Sequence, residues 1–323
     1  MKTSADIFVI FLGLLFMHTC EAPRNNPIDP LNPKNKNTSI NGWVQTLSVP
    51  HQPIQNAEVV WENGKTAVLT ESDGSFEIDH LTAEDGWMHF SMQGYQPDSV
   101  FISWDGRKQV EHEQYLNALP VLDSLIFASS IINRTPNIQI LELAARTQIT
   151  DADNDIDTVF FVNDYLDFSA VLVYNSDNDF YERNHISMTD LGIASPEDVI
   201  GRTFKLLVKD KYGSLITVKQ AQISRIIEEE IELVSPSGYE IVSSTPALLW
   251  KPFAPGFSFQ IKTEIFNRDA PELAVWQKDG ISASVNLVHV DQELPPGTYF
   301  WTAWAVDEFQ NRCRSKAKNF RVE

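Results

Sequence analysis

The sequence predicts an all-β chain: three consecutive β-sandwich domains behind a signal peptide and a flexible tether. Three observations predict it. Apolar residues fall in short runs with a period of two, the mark of half-buried strands, and clusters of Asp, Asn, Gly and Pro separate the runs. One unbroken apolar run of eleven residues, Ile7 to Met17, opens the chain. That length suits a signal-peptide core and falls short of the ~20 residues a membrane-spanning helix needs. Between this run and the first strands lies Glu21 to Asn37, with four prolines, five asparagines and too little apolar surface to fold.

Lys2 and the terminal amine give the opening segment a weakly positive start, and its apolar run stops at His18-Thr19-Cys20. A cysteine directly after such a core resembles the lipobox of bacterial lipoproteins. The resemblance implies that residues 1–19 are a removed signal peptide and that Cys20 is diacylated as the first mature residue. Met17 and Thr19 stand where such boxes favour Leu and a small residue. An ordinary signal cut after Ala22 is the alternative, and Pro23 hinders it. Acyl chains on Cys20 would hold the chain at a membrane, each buried methylene contributing about 0.8 kcal/mol. Residues 20–37 then form a tether that can lift the first domain by ~50 Å at ~3.3 Å per residue. The expected location is outside the cytoplasm, lipid-anchored to a bacterial membrane, on the periplasmic or surface face of the outer membrane.

The chain of 323 residues is comfortable for three domains of about 100 residues each. Its 25 basic and 44 acidic residues leave a net charge of −19. That charge opposes phosphate backbones and anionic lipid, which excludes nucleic acid as a partner, and it is compatible with divalent cations. Of the two cysteines, Cys20 and Cys313, the second is left without a disulfide partner if the first carries lipid. Cys313 lies in a strand-like run and reads as a small packed residue.

The first domain is expected over residues 38–110. Ile40, Gly42 and Val44 share one strand face, and Ala57, Val59 and Trp61 another. Asp73-Gly74 between apolar runs is a hairpin signal, because both residues tolerate positive φ. Met88, Phe90 and Met92 continue the alternation, Val100, Ile102 and Trp104 form a last strand, and residues 111–120 read as a connection. The succession Ile40-Asn-Gly-Trp-Val44, Pro53-Ile54-Gln-Asn-Ala57-Glu-Val59, Thr70…Asp73-Gly74-Ser-Phe76-Glu-Ile78 and Gly94-Tyr95 resembles the carboxypeptidase regulatory-like domain. That resemblance implies a transthyretin-like seven-strand sandwich with a support or binding role.

The second domain is expected over 121–227. Strand candidates run over Leu122 to Ile132, Ile138 to Ile149, Ile156 to Val162, Phe168 to Tyr174, Ile186 to Leu191, Phe204 to Val208 and Leu215 to Ile226. Seven such runs point to an immunoglobulin-like sandwich. Ser195 to Asp198 reads as a short helix or turn, and the acidic run Ile226 to Glu232 as a strand passing into the next module. The third domain, 232–323, resembles fibronectin type III: Leu248-Leu-Trp250 as second strand, Leu294-Pro-Pro-Gly-Thr-Tyr299-Phe-Trp-Thr-Ala-Trp-Ala-Val-Asp307 as sixth, and Asn311 to Val322 as seventh.

Two constellations could carry chemistry. Asp151, Asp153, Asp155 and Asp157, with Asn154 among them, place carboxylates at every second position and could gather oxygens around Ca²⁺, with Asp210 or the Asp177–Asp179 cluster completing the shell. The alternative is a solvated acidic turn, since Asp and Asn favour turns regardless. In the sixth strand, inward-facing Tyr299, Trp301, Ala303 and Ala305 would leave Phe300 and Trp304 outward, where they could stack on sugar rings or on another domain. Trp43, Trp87 and Trp104 raise the same question. The sequence contains no Gly-x-Ser-x-Gly, His-Glu-x-x-His, phosphate-binding glycine loop or Cys-x-x-Cys, and its seven histidines are scattered. The expectation is therefore a non-catalytic scaffold or accessory binding subunit whose partner is an envelope protein. The alternatives are a glycan- or surface-binding adhesion module whose partner is a polysaccharide, calcium-dependent if the acidic run holds the ion, and an enzyme whose active site is assembled from distant residues.

Overall fold

The computed structural model describes residues 38–63 and 65–323; the signal segment, Cys20 and the tether lie outside the described residues. Among the described residues no helix is long and apolar enough to cross a membrane. The chain divides into two compact units that meet at Leu119 and Pro120, and both are built from strands.

The first unit has seven strands: β1 (Ser39–Thr46), β2 (Glu58–Trp61), β3 (Thr66–Leu69), β4 (Ser75–Ile78), β5 (Gly86–Ser91), β6 (Asp98–Ile102) and β7 (Gln109–Leu116). They form two sheets, ordered β4-β1-β7 and β3-β2-β5-β6, around a core that includes Ile40, Trp61, Phe76, Phe90 and Trp104. The alternation drives this layering, because Ile40 and Val44 of β1 and Met88 and Phe90 of β5 all point inward. Two local expectations change. Residues 111–120, expected as a connection, are mostly strand: β7 runs parallel to β1 from Ser39↔Gln109 to Thr46↔Leu116. Asp73-Gly74 does make a tight turn, but β3 and β4 on either side of it belong to different sheets, so it is a corner and not a hairpin. The reason is on β1, where a Cβ at Gly74 (φ +78°) would lie 2.5 Å from the Val44 carbonyl oxygen. The corner passes against β1, and β4 pairs there.

The second unit opens with β8 (Val121–Arg134), β9 (Ile138–Thr150), β10 (Ile156–Asn163), β11 (Phe168–Asn175) and β12 (Phe180–Ser187), then α1 (Met188–Leu191), β13 (Phe204–Asp210) and β14 (Leu215–Ala221). β8-β9-β12 make one layer and β10-β13-β14 the other, an immunoglobulin-like arrangement. β11 changes layers: its first half pairs with β10 and Val173 to Asn175 pair with β12. Phe127, Phe161, Phe168 and Phe204 fill the space between, the Phe161 and Phe204 rings stacked at 5.1 Å. The strand expected over Ile186 to Leu191 is instead the end of β12 and a helical turn. Ser187 and Asp190 form a capping box there, and Gly192 closes the turn in the left-handed region (φ +66°). Pro196–Val199 is a 3₁₀ turn, as Ser195 to Asp198 suggested.

The remaining strands are β15 (Leu233–Ser235), β16 (Glu240–Val242), β17 (Ala247–Trp250), β18 (Phe259–Asn267), β19 (Ala270–Ser282), β20 (Leu287–His289), β21 (Gly297–Asp307), β22 (Arg312–Arg314) and β23 (Lys318–Val322). The layer β15-β17-β20 faces β19-β18-β21-β23, the fibronectin type III order. Tyr299 is buried at the start of β21 and donates its hydroxyl to the Pro295 carbonyl at 2.7 Å, the tyrosine corner of this fold class. Trp301 Nε1 donates to the Pro236 carbonyl at 2.9 Å.

The expected division between residues 227 and 232 falls inside this second unit. Ile226 to Glu232 is irregular chain, not a strand, and its Ile227 and Ile231 are buried in an apolar cluster that includes both Phe161 and Trp301. β8 pairs in parallel with β22 (Ser130↔Arg312, Ile131↔Cys313, Ile132↔Arg314), so one sheet runs from β19 through β21 and β22 into β8 and β9. Buried Asn311 fastens the seam: its Oδ1 accepts from Ser129 N–H at 2.9 Å and Ser129 Oγ at 3.0 Å.

Candidate ligand-binding surfaces

The acidic run forms the turn between β9 and β10. Asn154 takes φ +56°, and the Asp155 N–H donates to Asp151 Oδ2 at 3.2 Å, which folds the turn back on itself. Asp151, Asp153 and Asp155 bring one carboxylate oxygen each to within 4.8 Å of one another. Asp155 is buried and the other two are half-buried. Asp157 is not brought into the group; it begins the outward alternation of β10 and pairs with Lys209 Nζ at 3.5 Å across β13. The expected set of four is therefore corrected to three. Asp210 is committed elsewhere, accepting from the N–H groups of Tyr212 (2.9 Å) and Ser214 (2.8 Å) to shape the β13–β14 turn. Asp179 lines the same hollow of about 310 Å³ as Asp151, Asn154 and Tyr181, but Tyr174 Oη and Gln148 Nε2 already donate to it.

Crowding three carboxylates in partial burial has a cost in the acid–base balance of the turn. Burial first, then the hydrogen bond with Asp155 and the charge of Asp153, push the Asp151 carboxyl up from 3.8 to about 8. At neutral pH the Asp151 carboxyl therefore favours its protonated form. A divalent cation, with hard-oxygen preference and charge to offset the repulsion, suits such a cluster.

The aromatic face differs from the expectation. Tyr299, Trp301, Ala303 and Ala305 do point inward, but Thr302 and Trp304 on the other face are buried too. Trp304 is only 9% exposed. Its indole Nε1 donates to Glu264 Oε2 at 2.7 Å, and the guanidinium carbons of Arg312 and Arg314 lie 4.8 Å and 5.7 Å from the ring centroid. The expected bare platform of Phe300 and Trp304 is thus corrected. β22 lies beside β21 with Trp304 opposite Arg314, and its arginines cover the indole. Phe300 is half-buried and stacks on Phe266 at 5.0 Å.

In the first unit Trp104 is buried edge-on against Trp61, whereas Trp87 stands 46% exposed against Phe101 on the outer side of β5 and β6. Trp43 is half-buried on β1. Cys313 is fully buried, receives a hydrogen bond from Asn133 Nδ2 at 3.2 Å, and has its thiol pushed up to about 12, chiefly by burial, so it is a packed residue and not a nucleophile. His185 pairs with Glu142 at 2.7 Å on the surface.

No family model matches the chain, and no curated protein does. Among solved structures, the major pilin subunit BcpA of Bacillus cereus aligns at 10% identity over 88% of this chain and 95% of its own, with a TM-score of 0.27. Fibronectin(III)-like modules of Clostridium thermocellum CbhA align at 9% identity over 63% of this chain and 93% of theirs, TM-score 0.29. The FN1–FN3 domains of chicken CNTN1 align at 9% identity over 84% of this chain and 92% of theirs, TM-score 0.30. Likeness this slight says nothing of function. The all-β sandwich assignment stands on the strand order itself.

Proposed function

We propose that the chain is an exported, lipid-anchored envelope protein that acts without catalysis, as a scaffold or accessory binding subunit presenting its β-sandwich surfaces. The observation that carries this reading is the parallel pairing of β8 with β22, which joins two sandwiches into one sheet with a shared core. Such a joined pair holds the groups on its faces in fixed relation, which is what a presenting surface requires. The amino-terminal lipid and the carboxypeptidase regulatory-like character of the first unit belong to the same proposal. Crosslinking in intact cells, followed by pull-down of the full-length chain, tests it. One or two envelope proteins in stoichiometric amount are expected, and recovery of the chain alone would overturn it. Cys20→Ser is expected to move the chain from the membrane fraction to the soluble fraction; unchanged fractionation would remove the anchor.

A second reading is a glycan- or surface-binding module that uses calcium. The approach of Asp151, Asp153 and Asp155 to within 4.8 Å favours it. Recovery of polysaccharide without a protein partner in the same pull-down would move the weight to this reading.

A further inference from the structure

The β8–β22 seam gathers arginines that form no ion pair among the described residues. Arg312 lies opposite Ser130 and Arg314 opposite Ile132; Arg134, two residues beyond Ile132 on β8, falls on the same side of the sheet. Arg312 Nε donates to Ser130 Oγ at 3.3 Å, and the Nε of half-buried Arg314 has no hydrogen-bond partner among the described residues. None of the three makes an ion pair among those residues, although the chain carries 44 acidic side chains against 25 basic. The two acids whose charge acts on Arg314, Glu264 and Glu142, each have another partner. Glu264 accepts from Trp304 Nε1 and pairs with Lys262 at 3.0 Å, and Glu142 pairs with His185 at 2.7 Å. Burial first and the charge of Arg134 second hold the Arg314 guanidinium below its ordinary value, against the opposing pull of Glu264 and Glu142.

We infer that Arg312 and Arg314, braced over Trp304, and Arg134 beside them form a binding site for the carboxylates of an acidic polysaccharide, with the Phe266–Phe300 pair as the neighbouring ring surface. A guanidinium held over an indole loses little freedom on binding and keeps N–H donors for bidentate contact with a carboxylate. Phe300 lies on the same face of β21 as Trp304, four residues and ~14 Å away, about the span of three sugar rings. A peptide strand fits this face less well. β21 is flanked by β18 on one side and by β22 and β23 on the other, and β22 is flanked by β8, so no sheet edge is free there for an added strand. The net charge of −19 repels a uniformly charged polyanion, so the fitting glycan spaces its carboxylates with neutral sugars.

This inference rests on reading the chain as a binding module. A chain that retains an envelope partner in the pull-down but fails the following test keeps that reading and loses this site. The test is titration calorimetry of the full chain with a hyaluronan octasaccharide, in which glucuronate alternates with a neutral sugar. The comparison ligands are the same octasaccharide with its carboxylates reduced to alcohols, and a Glu-Gly repeat peptide of equal charge. The octasaccharide is expected to bind, to weaken as salt rises, and to lose about tenfold or more in affinity on Arg314→Gln, the size of one charge-assisted contact. Arg134→Gln, at an exposed position outside the core, is expected to lose a comparable factor and guards against a folding defect in the Arg314 variant. Equal binding of the reduced sugar, tighter binding of the peptide, wild-type affinity in both variants, or no binding of the octasaccharide would each overturn the inference.

Discussion

Replacing Asn311 by Ala tests whether the second unit stands or falls as one body. Asn311 is 2% exposed and Ser129, which it holds from the far side of the seam, is 1% exposed. The substitution leaves the Ser129 N–H without its 2.9 Å acceptor in a place water does not reach, and it removes the 3.1 Å donation from Asn311 Nδ2 to the Asp307 carboxylate. An orphaned buried donor costs about 1–3 kcal/mol and a hydrogen bond to a charged group about 1.5–3, so near the low end of both ranges the sum is about 3 kcal/mol. The Ser129 hydroxyl can turn to another acceptor and adds little. For a unit of about two hundred residues each kcal/mol moves the midpoint by about 2–4 °C, which gives a fall of about 6–12 °C. Scanning calorimetry of the full chain is the assay, with Phe309→Ala, on the same turn but 53% exposed, as the control expected to change little. Both sandwiches of the second unit are expected to melt in one transition that shifts whole. A loss under about 1 kcal/mol, or a scan in which one sandwich shifts and the other stays, would refute the reasoning.

Three further outcomes are expected. Calcium at 10 mM, against the ~10⁻⁴ M dissociation constants common for extracellular modules, would stabilise the second unit by about 2.7 kcal/mol, and Asp155→Asn would remove the response; thermal melts with calcium and with chelator decide it. Without divalent ions, folded Asp151 keeps its proton up to about pH 8 while the unfolded carboxyl releases it near 3.8, so this group makes stability fall as pH rises between those values, and Asp151→Asn would flatten that fall. Gly42→Ala would place a Cβ 1.7 Å from the His112 carbonyl oxygen, forcing β1 from β7; a loss of about 3 kcal/mol or more, confined to the first unit's calorimetric transition, is expected.

What the sequence made legible was local. The alternation through Tyr299, Trp301, Ala303 and Ala305 identified the inner face of β21, and the spacing of Asp151, Asp153 and Asp155 identified a turn that crowds carboxylates. That Asp157 stands apart from the group is not legible, because spacing alone does not say where a turn ends and a strand begins sending alternate side chains apart. The cover over Trp304 was not legible, since the arginines that lie on it belong to a different strand and only the pairing of β21 with β22 brings them there. The seam was the least accessible feature. Ser129 and Asn311 are separated by 182 positions, and no local pattern marks β8 as the neighbour of β22. The same limit explains the missed β7, whose parallel partner β1 lies at the opposite end of its unit.

The β1–β7 pairing also bears on force. These are the first and last strands of the first unit, and they run parallel in register over eight residue pairs. A chain held at its amino terminus and pulled through the second unit draws the start of β1 and the end of β7 in opposite directions along the strand axis. The ladder between them is then loaded in shear, with its bonds resisting together and not opening one at a time. Forced unfolding is governed by the unfolding rate under load, so this placement lets the first unit carry tension between its two ends without extending.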